Sequence, residues 1–336
     1  MRQYIILILA LLLICTTGNN FFSQTEKGKT YSGNYPGLTT PDNEPELFAP
    51  GFISTGLFTR DLTMTPDGSE IYFCASTFGY NLIYFTKIEN GIWTEPRIAP
   101  FIKNYKYMFY EPHITYDGKR MLFLSTMPDA DGVEGDEDIW AVDRINNGWG
   151  EPYNLGSPVN SPDEEYFPST TKDGTIYFTR QKKGDQVGSI YRSRFVDGKF
   201  TEPELLDSNV NCGTNRYNAF IHPDEKYIIV PAEGMPDSYG GTDYYIVFRD
   251  ANDNWSQPIN MGMKINTKRS GEYSASLSHD GKYLFFMSTR VREDLDESKF
   301  TLDYFHSLMS EPGNGNPCIY WISSGFIDDL RPEGFK

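Results

Sequence analysis

Charged and aromatic residues recur as adjacent pairs at five regularly spaced places in the chain. The pairs are Arg60-Asp61, Tyr110-Glu111, Glu165-Tyr166, Arg216-Tyr217 and Glu272-Tyr273, and Arg180, Glu233 and Arg290 lie at the ends of nearby segments. Aromatic faces that pack on a sugar or peptide, with charged groups that hydrogen-bond its polar atoms, are the chemistry of a binding funnel. We therefore predict a ring of ligand-binding residues, provided that the fold brings the pairs together. The alternative is that these groups pair with each other and with backbone, and so fill the space.

A glycosidase-like activity is the second function that these residues allow. It needs two carboxyl groups on either side of the scissile bond, roughly 5–5.5 or 6.5–9.5 Å apart. The candidates with suitable placement are Asp61, Glu111, Glu165 and Glu272. These acids recur with the repeat, as structural acids also would, and the chain has neither a G-x-S-x-G elbow nor a sialidase-type S-x-D-x-G-x-T-W box. We expect a non-catalytic binding protein and keep the glycosidase-like enzyme as the alternative.

The sequence predicts no cofactor and no metal centre. No C-x-x-C occurs and the histidines do not cluster, so a zinc site is unsupported. Residues 129–138 (DADGVEGDED) are rich in carboxylates that suit Ca²⁺, but Gly132 comes too early for an EF-hand loop and a solvated acidic loop is favoured. Cys74, Cys212 and Cys318 are an odd set, which we interpret as free thiols.

Five hairpins of one type must position these residues. They are DLTMTPDGSEIYF (61–73), EPHITYDGKRMLF (111–123), FPSTTKDGTIYF (167–178), NAFIHPDEKYIIV (218–230) and SASLSHDGKYLFF (274–286). Asp-Gly suits a tight turn because Gly accepts a positive φ and Asp tolerates one. The turn aspartates are 50, 56, 51 and 56 residues apart. Glu225 replaces the glycine in the fourth turn, which predicts a different geometry there.

Each hairpin is followed by a third strand and a fourth segment, as in SIYRS (189–193) and WGEPYNLGSPV from Trp149. The fifth unit lacks the fourth segment, but EPELFAPGFIS (44–54) resembles it and can supply the missing outer strand. This closes a ring and removes sheet edges, which is the physical basis of a β-propeller. We predict an all-β fold with a single propeller of five four-stranded blades, or six if the C-terminal tail and residues 290–316 hide another blade. In this topology the long second-to-third-strand loops lie on one face, the top face, with a short helix near 300–309.

The repeated hairpin, followed by D-I-Tyr/Trp and W-x-E-P, resembles the TolB-type β-propeller repeats, also described as WD-repeat-like. The resemblance covers roughly 44–331, and the ending GNGNPCIYWISSGFIDDLRP is similar to secreted or envelope propellers of Bacteroidota-type bacteria. Cys318 departs from the Asp usual at that strand start. The resemblance implies a propeller scaffold of the cell envelope that binds a protein, peptide or glycan through its top face.

Composition and the N-terminal segment limit the partners and the compartment. There are 30 Lys+Arg against 46 Asp+Glu, a net charge of −16, which disfavours nucleic acid and anionic lipid. Aromatic residues make up 15% of the chain, which argues against disorder. Ile5 to Cys15 is an apolar run too short to span a bilayer and typical of a secretory signal.

The sequence therefore predicts four regions. Residues 1–18 are a signal peptide with cleavage up to 23 as an option, 19–43 a linker, 44–331 the propeller and 332–336 a tail. We expect an exported monomer in the periplasm, at the outer membrane or secreted, without a transmembrane span. Lipidation at Cys15 stays open as a third option for the leader.

Overall fold

The computed structural model describes residues 30–128, 135–146, 148–269 and 271–335. The proposed signal peptide, Cys15 and most of the acidic loop 129–138 lie outside these ranges. Within them, no helix has the length and apolar character that crossing a membrane requires.

Five antiparallel sheets follow one another along the chain and form the five blades of a β-propeller, as predicted. The chain first forms β1 (Glu46–Leu47), which belongs to the last blade. Blade 1 has β2 (Phe58–Met64), β3 (Glu70–Thr77), β4 (Tyr80–Glu89), β5 (Ile92–Trp93) and β6 (Arg97–Ile98). Blade 2 has β7 (Phe109–Ile114), β8 (Arg120–Ser125), β9 (Asp138–Ile145), β10 (Gly148–Trp149) and β11 (Tyr153–Asn154).

The remaining blades repeat the order with short outer strands. Blade 3 has β12 (Glu164–Thr170), β13 (Ile176–Gln181), β14 (Gly188–Ser193), the hairpin β15 (Phe195–Val196) and β16 (Lys199–Phe200), and β17 (Glu204–Leu205). Blade 4 has β18 (Asn215–Arg216), β19 (Phe220–Ile221), β20 (Tyr227–Glu233), β21 (Thr242–Phe248) and β22 (Ile259–Asn260). Blade 5 has β23 (Ser276–Leu277), β24 (Tyr283–Ser288) and β25 (Cys318–Ser323). The helices are 3-10 turns at Tyr35–Gly37 and Glu297–Lys299, α1 (Leu302–Met309) and α2 (Phe326–Asp329).

The N-terminal strand closes the ring, as predicted. β1 pairs antiparallel with β25, with Glu46 opposite Trp321 and Leu47 opposite Tyr320. Phe48, which follows β1, is fully buried, and its ring centroid lies 5.1 Å from that of Trp321. The alternative of six blades is wrong, because residues 290–316 contain a 3-10 turn, α1 and one isolated bridge, and the described tail after β25 contains α2.

The first strands of the blades surround the central channel, and each contains a backbone irregularity at the same repeat position. Five non-glycine residues there have positive φ, between 48° and 66°: Asp61, Glu111, Phe167, Asn218 and Ser274. In blades 1 to 3 the pairing register shifts at this place. A bulge of this kind reverses the alternation of side chains along a strand. It therefore decides which side chains face the channel.

The turns between first and second strands share one geometry, including the fourth. Glu225 has a φ of 50° and its N–H donates to the His222 carbonyl at 2.7 Å, as the Gly281 N–H donates to Ser278 at 2.8 Å. The prediction that the fourth turn differs is wrong. The Glu225 carboxylate accepts a hydrogen bond from the Tyr177 hydroxyl at 2.6 Å and pairs with Arg249, contacts that offset the backbone strain.

Replacing Gly281 with alanine is expected to lower the free energy of unfolding by about 1 kcal/mol, because its φ is 72° and a Cβ there is strained even in open space. Gly148→Ala is the matched control, since an added Cβ also meets nothing within 4 Å but the φ is not positive. Urea unfolding of both variants measures the difference. Equal free energies of unfolding for the two variants would show that the positive φ at Gly281 does not penalise a side chain there.

Candidate functional site

An open cavity of about 460 Å³ lies at the end of the channel where the first strands begin. Four tyrosines and one arginine, one from each blade, contribute to its wall: Arg60, Tyr110, Tyr166, Tyr217 and Tyr273. Met108, Glu111, Leu124, Glu137 and Asn218 complete the lining among the described residues. We call this space the central cavity, and its volume is in the range of small-ligand sites.

Arg60 and Glu111 form the centre of a network that links the blades. The Arg60 guanidinium pairs with Asp61 at 3.0 Å and with Glu111 at 3.3 Å. The other two donors to Glu111 come from blades 3 and 4, because its oxygens accept the Phe167 N–H at 2.7 Å and the Asn218 amide at 3.0 Å. Four blades thus meet at this carboxylate.

Burial controls the ionisation of the cavity groups. It raises the pKa of Glu111, and Arg60 acts in the opposite direction. Burial also raises the pKa of Glu137 and brings the pKa of Tyr110 and of Tyr217 to about 12. The tyrosines are therefore neutral hydroxyls at physiological pH, able to donate and accept hydrogen bonds.

Glu165 and Arg180 lie outside the central cavity and hold a crossing segment, the stretch that links one blade to the next. Arg180 donates to Glu165 at 2.6 Å and to the Val159 carbonyl at 2.9 Å. Glu165 is fully buried and also accepts from the Ser161 N–H at 2.9 Å. Burial raises the pKa of Glu165, and these donors act against the shift.

In blade 5, Glu272 and Arg290 also contact a crossing segment, each through its own hydrogen bonds. Glu272 accepts from Thr267 at 2.7 Å, and Arg290 donates to the Ile265 carbonyl at 2.9 Å. Burial raises the pKa of Glu272 to about 7. In blade 4, Arg216 serves the same purpose alone by donating to three carbonyls, among them Cys212 at 3.0 Å.

The twelve predicted ring residues therefore divide into groups with different surroundings. Six line the central cavity: Arg60, Tyr110, Glu111, Tyr166, Tyr217 and Tyr273. Five contact crossing segments instead: Glu165, Arg180, Arg216, Glu272 and Arg290. Asp61 is buried beside Arg60. Whether any of them binds a ligand stays a prediction.

The number of residues between a side chain and its turn aspartate separates the cavity group from the crossing-segment group. The predicted adjacent pairs combined members of both groups. Arg60, Tyr110, Tyr166, Tyr217 and Tyr273 each precede their turn aspartate by seven residues, whereas Glu165, Arg216 and Glu272 precede theirs by eight. Neighbouring residues of a strand point to opposite faces. Counting from the turn would have found the tyrosine ring. Glu137 and Asn218 were missed, since Glu137 lies in a loop and Asn218 is one residue past the predicted pair.

His113 lies on the same first strand as Glu111, beyond the bulge and toward the turn end of the channel. Its Nε2 accepts the Thr170 N–H at 3.0 Å and contacts the Thr170 hydroxyl at 2.8 Å. Burial lowers the pKa of His113 to about 4. The imidazole is therefore neutral at physiological pH, and protonation at Nε2 would remove this link between blades 2 and 3.

Replacing His113 with glutamine is expected to reduce the loss of stability in acid. The folded pKa of about 4 lies below the ordinary 6.5, so the unfolded chain binds the proton more tightly and stability falls as pH drops from 6.5 to 4. The histidine contributes at most about 3 kcal/mol of this loss. Urea unfolding at pH 7 and pH 4.5 measures it in His113→Gln and in the control His306→Gln, whose side chain is exposed on α1. An unchanged pH dependence in His113→Gln would contradict this assignment.

The cysteines and acids show no metal centre in the described part of the chain. Cys74, Cys212 and Cys318 are buried free thiols, in accord with the sequence interpretation. No group of three or more His, Cys, Asp or Glu with metal-binding geometry occurs among the described residues. The Ca²⁺ hypothesis for 129–138 concerns residues that lie mostly outside that part.

Solved structures similar to this chain include two TolB proteins and a sialidase. TolB from Acinetobacter baumannii has 16% identity and a TM-score of 0.44 over 79% of this chain and 54% of its own. A protein assigned as TolB from Agrobacterium tumefaciens has 16% identity and a TM-score of 0.46 over 80% of this chain and 90% of its own. NanB sialidase from Streptococcus pneumoniae has 12% identity and a TM-score of 0.41 over 75% of this chain and 36% of its own.

These similarities say nothing about what this chain binds or catalyses, and the five-bladed fold follows from its own strand pairing. The chain spans about half the length of the Acinetobacter TolB. No protein-family model matches the sequence, and no curated protein matches it either.

Proposed function

We propose that this chain is a non-catalytic binding protein of the cell envelope that holds a protein, peptide or glycan partner at the central cavity. The observation that carries the proposal is the cavity itself, an open space walled by a tyrosine from each of four blades. Tyrosines combine a large apolar face with a hydroxyl and lose little conformational freedom on binding. A rigid propeller holds them in place without a partner.

The positions and hydrogen-bond partners of the carboxylates support ligand binding over glycoside hydrolysis. Of the four acids expected for a glycosidase, only Glu111 lines the cavity, and both of its oxygens accept hydrogen bonds from the protein. A general acid must direct its proton at the substrate. Glu165 and Glu272 are occupied at crossing segments. The glycosidase-like alternative keeps one supporting observation, which is that burial raises the pKa of both Glu111 and Glu137 in the same cavity.

Screening the protein against a displayed heptapeptide library and a glycan array tests the proposal. The ligands recovered should bind the double variant Tyr166→Leu/Tyr217→Leu at least about tenfold more weakly, since aromatic contacts of two rings are lost. Tyr153→Leu is the matched control, because Tyr153 is an exposed tyrosine on the outer strand of blade 2. Ligands that bind the double variant as tightly as the wild type would contradict the proposal. Turnover of a recovered glycan would favour the enzyme.

A further inference from the structure

One side of the central cavity already contains a cation supplied by the protein. The Arg60 guanidinium lies 4.4 Å from the ring centroid of Tyr110 and 5.3 Å from that of Tyr273, while it pairs with Asp61 and Glu111. Aromatic faces attract cations through the ring quadrupole, and desolvation strengthens the attraction. We call this part the occupied half.

The other side, the open half, repeats the same residue types without a cation. It is walled by Tyr166, Tyr217 and Glu137, and Arg60 is the one basic side chain among the described residues that line the cavity. The Glu137 carboxylate accepts no hydrogen bond from the described residues, whereas the Glu111 carboxylate of the occupied half accepts three. Two aromatic rings and a carboxylate thus face open space.

The electrostatic surroundings of the open half are negative. Burial raises the pKa of Tyr166, and the charged side chains that act on it, Glu111, Glu137 and Glu164, raise it further. Glu164 also raises the pKa of Glu137, and Arg60 acts in the opposite direction. The nearby basic groups are engaged elsewhere: Lys183 pairs with Asp136 at 2.5 Å, and Arg180 pairs with Glu165. A positive group placed here would be attracted by Glu137 and Glu164, and Asp61 and Glu111 offset the repulsion from Arg60.

We propose that the open half binds a lysine or arginine side chain of a polypeptide partner, with the cation between Tyr166 and Tyr217 and paired with Glu137. This deepens the proposed function and rests on it. The net charge of −16 adds a long-range attraction for basic partners.

An apolar surface on α1, in the loop between β24 and β25, favours a polypeptide over a free sugar. α1 exposes Leu302, Phe305 and Met309, with exposed fractions of 74%, 46% and 63%. Their spacing puts them along one side of the helix. α1 packs against the segment just before β2, where the Met309 carbonyl comes so close to Gly56 that no side chain would fit. A peptide with a basic residue and apolar neighbours matches this combination.

The test compares peptides recovered by panning the heptapeptide library on the wild type with versions in which each Arg is replaced by citrulline and each Lys by acetyl-lysine. We expect basic peptides whose affinity falls at least about tenfold on neutralisation, as the loss of a desolvated cation–aromatic contact and an ion pair implies. Glu137→Gln should give a similar loss and make the affinity less sensitive to NaCl. Glu151→Gln, an exposed acid on blade 2, should leave it unchanged.

Each contrary outcome identifies what has failed. Peptides that lose affinity in Tyr166→Leu/Tyr217→Leu but tolerate citrulline, acetyl-lysine and Glu137→Gln would overturn the cation site and leave the proposed function standing. Glycans alone that bind at the cavity would overturn the polypeptide partner. If no recovered ligand depends on the two tyrosines, the proposed function falls as well.

Discussion

Replacing Glu111 with alanine is expected to lower the free energy of unfolding by about 3–5 kcal/mol, because the Phe167 N–H and the Asn218 amide lose their acceptor and Arg60 keeps only Asp61 as a charged partner. Glu111 is 5% exposed and binds Arg60, the Phe167 N–H and Asn218, so the loss affects four blades. Equilibrium unfolding in urea measures it.

Glu137→Ala is the matched control in the same cavity. No described residue donates a hydrogen bond to its carboxylate, so we expect a change below about 1 kcal/mol. Glu111→Gln, which keeps one acceptor oxygen at this place, should lose less stability than Glu111→Ala. A loss below about 1 kcal/mol in Glu111→Ala would mean that Glu111 is not a structural group, and would reopen a catalytic role for it.

Replacing Arg192 with alanine is expected to cost about 1.5–3 kcal/mol, because its buried guanidinium makes charged hydrogen bonds at the boundary of blades 3 and 4. Its guanidinium donates to Glu204 at 2.6 Å and to both oxygens of Asp253, at 3.0 and 2.8 Å. Hydrogen bonds from Arg192 hold the pKa of Asp253 well below its ordinary value. Only 5% of the Arg192 side chain is exposed.

Arg194 offers a control that touches the same two acids. It lies 3.5 Å from Glu204 and 3.1 Å from Asp253, but 41% of its side chain is exposed. Solvent screens such pairs, so Arg194→Ala should change stability by less than about 1 kcal/mol. Urea unfolding of both variants gives the comparison. Similar losses in the two variants would show that burial does not determine the strength of this network.

The repeat pattern was enough to predict the fold. Five Asp-Gly-type hairpins gave the number of blades, and the likeness of 44–54 to the missing outer segment gave the ring closure that β1 and β25 form. Such patterns reflect period-two alternation and turn chemistry, which are local properties of the chain. The prediction for the fourth turn was wrong because Glu225 adopts the conformation expected of glycine. Contacts of its side chain with Tyr177 and Arg249, which lie on other strands, stabilise that conformation.

The candidate site was predictable only in part, because a backbone irregularity in each first strand helps to decide which side chains face the central cavity. The positive φ at Asp61, Glu111 and their equivalents reverses the side-chain alternation. These residue types do not by themselves predict a positive φ. In blades 3 to 5, adjacent residues were assigned to one ring although strand alternation turns one member to the cavity and the other to a crossing segment. Glu137 reaches the cavity from a long loop, whose path depends on tertiary contacts that the local sequence does not encode.

The affinity of a recovered ligand for the wild type and for Tyr166→Leu/Tyr217→Leu, measured by calorimetry, tests the binding role of the central cavity most directly. We predict a dissociation constant at least about tenfold higher in the double variant, with Tyr153→Leu equal to the wild type. Dissociation constants within about twofold of each other for all three proteins would contradict it.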